Sequence, residues 1–106
     1  MSQEDGLHRL AECRDEIDRV DVRILKLLND RTRIVEEIGR IKRTLALPIY
    51  EPKREDQVYQ NVTVNNAGPL PADAVKRVFE RIIDEMRTVQ RERMLTDPSG
   101  DSEGNR

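Results

Sequence analysis

The chain has 106 residues, a formal net charge of −2, 38% charged residues and 3% aromatic residues. That length predicts one domain, and the near balance of charge excludes the basic surface of a nucleic-acid binder. So few aromatic side chains exclude a large self-contained core and favour charged helices that assemble with a second copy of themselves.

Residues 1–6 read as a loose leader, with Ser2 or Asp5 as the cap of the helix that follows. The first element is a long helix from about Leu7 to about Ala46. Between Leu10 and Leu45 there is no proline, and Gly39 is the only glycine. Read in sevens, one apolar seam carries Leu10, Ile17, Ile24, Arg31, Ile38 and Leu45. A companion seam carries Cys13, Val20, Leu27, Ile34 and Ile41. The Leu10–Leu45 stretch would run on the order of 55 Å at ~1.5 Å per residue, so its stripe needs a partner.

Cations interrupt that face. Arg31 stands in the seam itself, and Arg14 and Lys42 lie on the flank with Asp21, Leu28 and Val35. A buried cation is costly without an anion or a hydrogen-bonding network to meet it. Each arginine taken alone also fits a plainer role, with its stem packed and its head reaching solvent or a carboxylate such as Asp21.

Pro48 disfavours helical geometry at Leu47 and ends the first helix. Pro52 then opens a short helix over Lys53 to about Val64, with Val58, Tyr59 and Val62 on its apolar side. The run Asn65-Asn66-Ala67-Gly68-Pro69 stops it. Pro71 and Asp73 open a third, medium helix with the stripe Val75, Val78, Phe79, Ile82, Ile83, Met86 and Val89. Gln90 continues that stripe, either as an amide placed on an apolar face or as its fraying end. The main domain is expected over 7–95, and the polar residues 96–106 should form a disordered tail. The fold class is all-α: one long, one short and one medium helix, forming an intertwined helical homodimer.

The usual catalytic kits are missing. His8 is the only histidine, no spacing suits a metal, and no glycine-rich phosphate loop occurs. Any catalysis would therefore rest on placed charges and hydrogen bonds, without metal or cofactor. Cys13, the single cysteine, agrees with a reducing compartment. The acidic start resembles no signal peptide, and no apolar run approaches the ~18 residues of a membrane span. A cytoplasmic protein is expected.

Arg31 and Lys42 face nearly the same way, ~16 Å apart along the helix, and can grip one small molecule. Arg14 lies roughly 25 Å from Arg31 on the same rod. An antiparallel pairing about a two-fold near Arg23 brings level residues whose numbers sum to about 45. Arg14 of one copy then lies beside Arg31 of the other, Ile17 meets Leu28 and Leu10 meets Val35. Two arginines at one site suit a substrate with two carboxylates. Lys42 and Gln90 can donate to an oxygen that gains negative charge.

With these residues in place, the chain resembles the all-helical chorismate mutase family over about Leu7 to Arg91. The matching pieces are Arg14-Asp15-Glu16-Ile17-Asp18, Leu27-Leu28-Asn29-Asp30-Arg31, Ile38-Gly39-Arg40-Ile41-Lys42, Arg54-Glu55, and Phe79 through Gln90. The order and spacing of Arg, Arg, Lys, Arg-Glu and Gln carry the resemblance together. It implies a pericyclic rearrangement of chorismate to prephenate, without cofactor or covalent intermediate, in sites shared by the two chains of a homodimer. It implies that Arg31 and the partner subunit's Arg14 hold the carboxylates, and that Lys42 and Gln90 donate to the ether oxygen. Glu55 would bind the ring hydroxyl, and Glu51 and Arg54 would lie near the substrate. Met86 replaces a small hydroxyl residue found in some members and makes the pocket more apolar there. Gln90, where an acid is the alternative, implies activity at neutral pH.

Two other readings compete. Isochorismate–pyruvate lyases resemble the same scaffold, although Arg54-Glu55 after Tyr50-Glu51-Pro52 looks more like a mutase. A non-catalytic helical dimerisation module would also explain the heptads.

Overall fold

A computed structural model of the protein describes residues 2–96, and the side chains of residues 2–93. The expected tail, apart from Thr96, lies outside the described residues. Three helices follow one another: α1 (Gln3–Thr44), α2 (Pro52–Val64) and α3 (Ala72–Thr96). No strand occurs among the described residues.

Helix α1 begins four residues before the expected start, so residues 3–6 of the anticipated leader are helical. Ser2 is the reason. Its Oγ accepts the Asp5 N–H at 3.1 Å, satisfying one of the unpaired donors of the first turn. Glu4 and Asp5 in the first turn, and Lys42 and Arg43 in the last, complement the helix dipole.

The other end closes by a specific device. Leu47 N–H donates to the Lys42 carbonyl at 2.7 Å, and Ala46 N–H to the Arg43 carbonyl at 3.2 Å. Ala46 has φ 56°. This is the Schellman arrangement, with alanine in the left-handed position that glycine usually fills. Pro48 follows at once, so the helix stops two residues before the expected Ala46 and the chain turns back.

Helix α2 starts with Pro52 at its first position, where a missing N–H costs nothing. Glu51 stands at the cap, yet its side chain makes no capping bond. Helix α3 takes its first turn from the Pro71 carbonyl, which accepts the Val75 N–H at 3.0 Å. Between α2 and α3, Asn66 Oδ1 accepts the Gly68 N–H at 3.0 Å, and its Nδ2 donates to the Leu70 carbonyl at 2.8 Å.

The described chain divides into two compact units, the first ending at Arg33 and the second beginning at Ile34. The first is the N-terminal part of α1, and its seam residues Leu10, Ile17, Val20, Ile24 and Leu27 are all exposed. The second holds the end of α1 with α2 and α3. Its core is Val35, Val75, Ile83 and Met86, with Val58, Tyr59, Val62, Phe79, Ile82 and Val89 half-buried around it. Val78, expected in the α3 stripe, is exposed. Lys76 of α3 lies 5.6 Å from the ring centre of Tyr59, and Arg93 Nε donates to Glu36 Oε2 of α1 at 2.6 Å. Ile34, Ile38, Ile41 and Leu45 remain exposed here too.

Candidate functional site

Lys42 occupies the last turn of α1 and is 7% exposed. The Schellman turn brings the following stretch back over it. Its Nζ donates to the Ile49 carbonyl at 2.9 Å and pairs with Glu51 Oε1 at 2.7 Å. This explains why Glu51 leaves the N-terminus of α2 uncapped: its carboxylate serves the buried ammonium, which would otherwise be strongly destabilising. An ammonium has three donors. Two acceptors among the described residues leave one for an incoming oxygen.

Gln90 is 8% exposed, and α3 continues beyond it to Thr96. It is therefore an amide set into the apolar face and does not mark a fraying end. Its Oε1 is buried without a hydrogen-bond partner among the described residues. Leaving an acceptor in that state costs about 1–3 kcal/mol. The side chain lies against Gly39 of α1, three residues before Lys42. A Cβ built on Gly39 would stand 3.7 Å from Gln90 Cγ, an ordinary contact. Met86, one turn earlier on α3, is also buried and keeps this part of the face apolar.

Glu55 of α2 is half-buried and pairs through Oε2 with Arg87 Nη1 of α3 at 3.1 Å. Arg87 also bonds Asp84, and its guanidinium lies over the Tyr50 ring, 5.3 Å from the centre. The Asp84 bond first, and the charges of Glu55 and Asp84 with it, push the Arg87 pKa up against the opposing effect of burial. Reading the sequence missed Arg87. The three-residue spacing from Asp84 was visible, but the bond to Glu55 joins two helices and has no signature in sequence.

Arg54 is exposed, and its Nη1 donates to Gln57 Oε1 at 3.4 Å on its own helix. Among the described residues that bond does not tie it to the Lys42–Glu51 pair. Arg14 and Arg31 both belong to the first unit, Arg14 exposed and Arg31 half-buried. The second unit thus joins Lys42 with Glu51, sets Gln90 against the neighbouring turn, and ties Glu55 to Arg87. Among the described residues, no group of three His, Cys, Asp or Glu side chains could hold a metal ion. No described helix is long and apolar enough to cross a membrane.

This arrangement sets a buried ammonium and a buried amide in one unit, two groups able to hydrogen-bond an oxygen. Comparison with known proteins points the same way. The sequence profile of a family described as chorismate mutase type II matches residues 13–91. A bifunctional chorismate mutase/prephenate dehydratase of Aquifex aeolicus is 37% identical over 81 residues, 73% of this chain. The chain spans 22% of that relative's length. A chorismate mutase of Methanocaldococcus jannaschii is 28% identical over 87 residues, covering 81% of this chain and 88% of the relative. Among solved structures, a chorismate mutase (form II) from Thermus thermophilus aligns with a TM-score of 0.76 at 38% identity. That alignment covers 78% of this chain and 94% of the other.

Proposed function

The chain belongs to the chorismate mutase type II family, and from that premise we propose that it converts chorismate to prephenate in a site shared between two copies. The observation that carries the proposal is a buried ammonium and a buried amide in one small unit: Lys42 at the end of α1, and Gln90 of α3, which approaches Gly39 three residues before Lys42 and whose oxygen has no partner among the described residues.

The rearrangement breaks a C–O bond and forms a C–C bond within one molecule. Negative charge gathers on the ether oxygen as the first bond lengthens. Lys42 donates to that oxygen. Gln90 donates from its NH2, which a half-turn about the last side-chain bond exchanges with the oxygen. Donors fixed before the reaction stabilise this charge more than water does, because they need no reorganisation. Arg31 and Arg14 of the partner subunit hold the two carboxylates. Glu55 accepts from the ring hydroxyl, while Glu51 and Arg54 line the approach. Holding the substrate in its compact, chair-like shape removes part of the entropic barrier. No acid–base step is required.

The exposed seam supports the second copy. Leu27 is 66% exposed and Ile34 60%, although both belong to a periodic apolar stripe. An antiparallel partner about a two-fold near Arg23 covers that stripe and sets the two arginines side by side. A cytoplasmic location belongs to the same proposal, supported by Cys13 as a single free thiol.

The test is direct. Purified protein is given chorismate, and the loss of its absorbance is followed with identification of prephenate. Conversion at neutral pH is expected. Salicylate and pyruvate from isochorismate, with no turnover of chorismate, would make the protein a lyase. Inertness toward both would leave only a dimerisation module.

A further inference from the structure

Arg87 stands on α3 directly after Met86 and three residues before Gln90. It takes no part in the steps above, yet it reaches the carboxylate that receives the substrate's hydroxyl. Nη1 lies 3.1 Å from Glu55 Oε2, and the two side chains are 27% and 19% exposed. This pair is therefore less screened than one on an open surface. Asp84 holds the guanidinium from its own helix, and the Tyr50 ring supports its flat face at 5.3 Å. Two contacts fix the fork, and the fork meets Glu55.

We propose that Arg87 is a positioning residue for the rearrangement, fixing the Glu55 carboxylate so that one oxygen stays turned to the substrate's ring hydroxyl. This rests on the functional reading given above. Arg87 engages Oε2, which leaves Oε1 as the acceptor. Its charge also offsets that of Glu55, which would otherwise repel a dianion entering the site. Without Arg87 a half-buried carboxylate loses its cross-helix cation and turns toward water. Lysine can supply the charge but neither the planar fork nor the stacking on Tyr50.

The experiment is a double-mutant cycle on chorismate turnover, using wild type, Arg87→Met, Glu55→Gln and the double variant, with Arg87→Lys beside them. Arg87→Met should lower kcat/KM about tenfold, mostly by raising KM, and Arg87→Lys should recover part of the loss. In the Glu55→Gln background, Arg87→Met should change kcat/KM by less than about twofold, because the group it positions is already gone. A purely structural Arg87 would give the same loss in both backgrounds, and that result overturns the proposal. So does an Arg87→Met variant as active as wild type. Should Arg87→Met fail to fold, Arg87→Lys in the two backgrounds carries the same comparison. Wild-type turnover separates the failures. Equal losses with turnover present sink the positioning role alone, and no wild-type turnover sinks the functional reading and this role together.

Discussion

Removing the Lys42 ammonium leaves the Ile49 carbonyl and the Glu51 carboxylate without the donor that now meets them at 2.9 and 2.7 Å. On the proposed function it also removes a donor to charge that exists mainly in the transition state. Lys42→Ala should therefore lower kcat on the order of 100-fold or more, with a smaller change in KM. Steady-state kinetics on a variant shown to be folded by circular dichroism checks this. A normal kcat would remove Lys42 from the reaction. At this scale the sequence singled out candidate cations, and it offered Glu51 as a partner for a site cation or the hydroxyl without saying which group it meets. Arg31 and Lys42 announced themselves because cations are out of place on an apolar stripe. That Glu51 pairs with Lys42, or Arg87 with Glu55, depends on how chain segments return on one another, and no local pattern encodes that.

The elements were the most legible part. Apolar spacing, Pro52, the Asn65–Pro69 stop and Pro71 marked all three helices, because each signal acts through local backbone geometry. The ends were less legible. Ser2 carried α1 further toward the N-terminus than the apolar periodicity reached. At the other end, Pro48 was read as the terminator, but Ala46 in the left-handed region does the turning. An alanine gives no warning of that role. It is also a strained choice, since an L side chain is unfavourable there and glycine is not. Ala46→Gly should relieve about 1–2 kcal/mol of left-handed strain against about 0.4–1 kcal/mol of entropy that glycine gains when unfolded, a net gain on the order of 0.5–1 kcal/mol. Thermal unfolding at fixed protein concentration should show Tm rise by a few degrees, with Lys42 still held by Ile49 and Glu51. A fall in Tm would mean that the turn tolerates alanine for a reason outside its own backbone.

For the whole molecule, the decisive fact is an apolar seam left in water. Leu10, Ile17, Ile24, Ile34 and Ile41 are exposed, while the small core of the second unit is built from Val35, Val75, Ile83 and Met86. Apolar residues exposed at heptad spacing within each unit favour a cover. Heptad spacing led to the expectation of a partner and left open whether it was parallel or antiparallel. The proposed function favours antiparallel, because that register would bring Arg14 of the partner subunit beside Arg31. Each site would then take one arginine from each chain. Mixing inactive Arg14→Ala protein with inactive Arg31→Ala protein measures this directly. A heterodimer has one site with both arginines and one with neither, so a fully exchanged equal mixture should regain about one quarter of wild-type activity. No recovery, with subunit exchange confirmed by mass spectrometry, would contradict a site shared between chains.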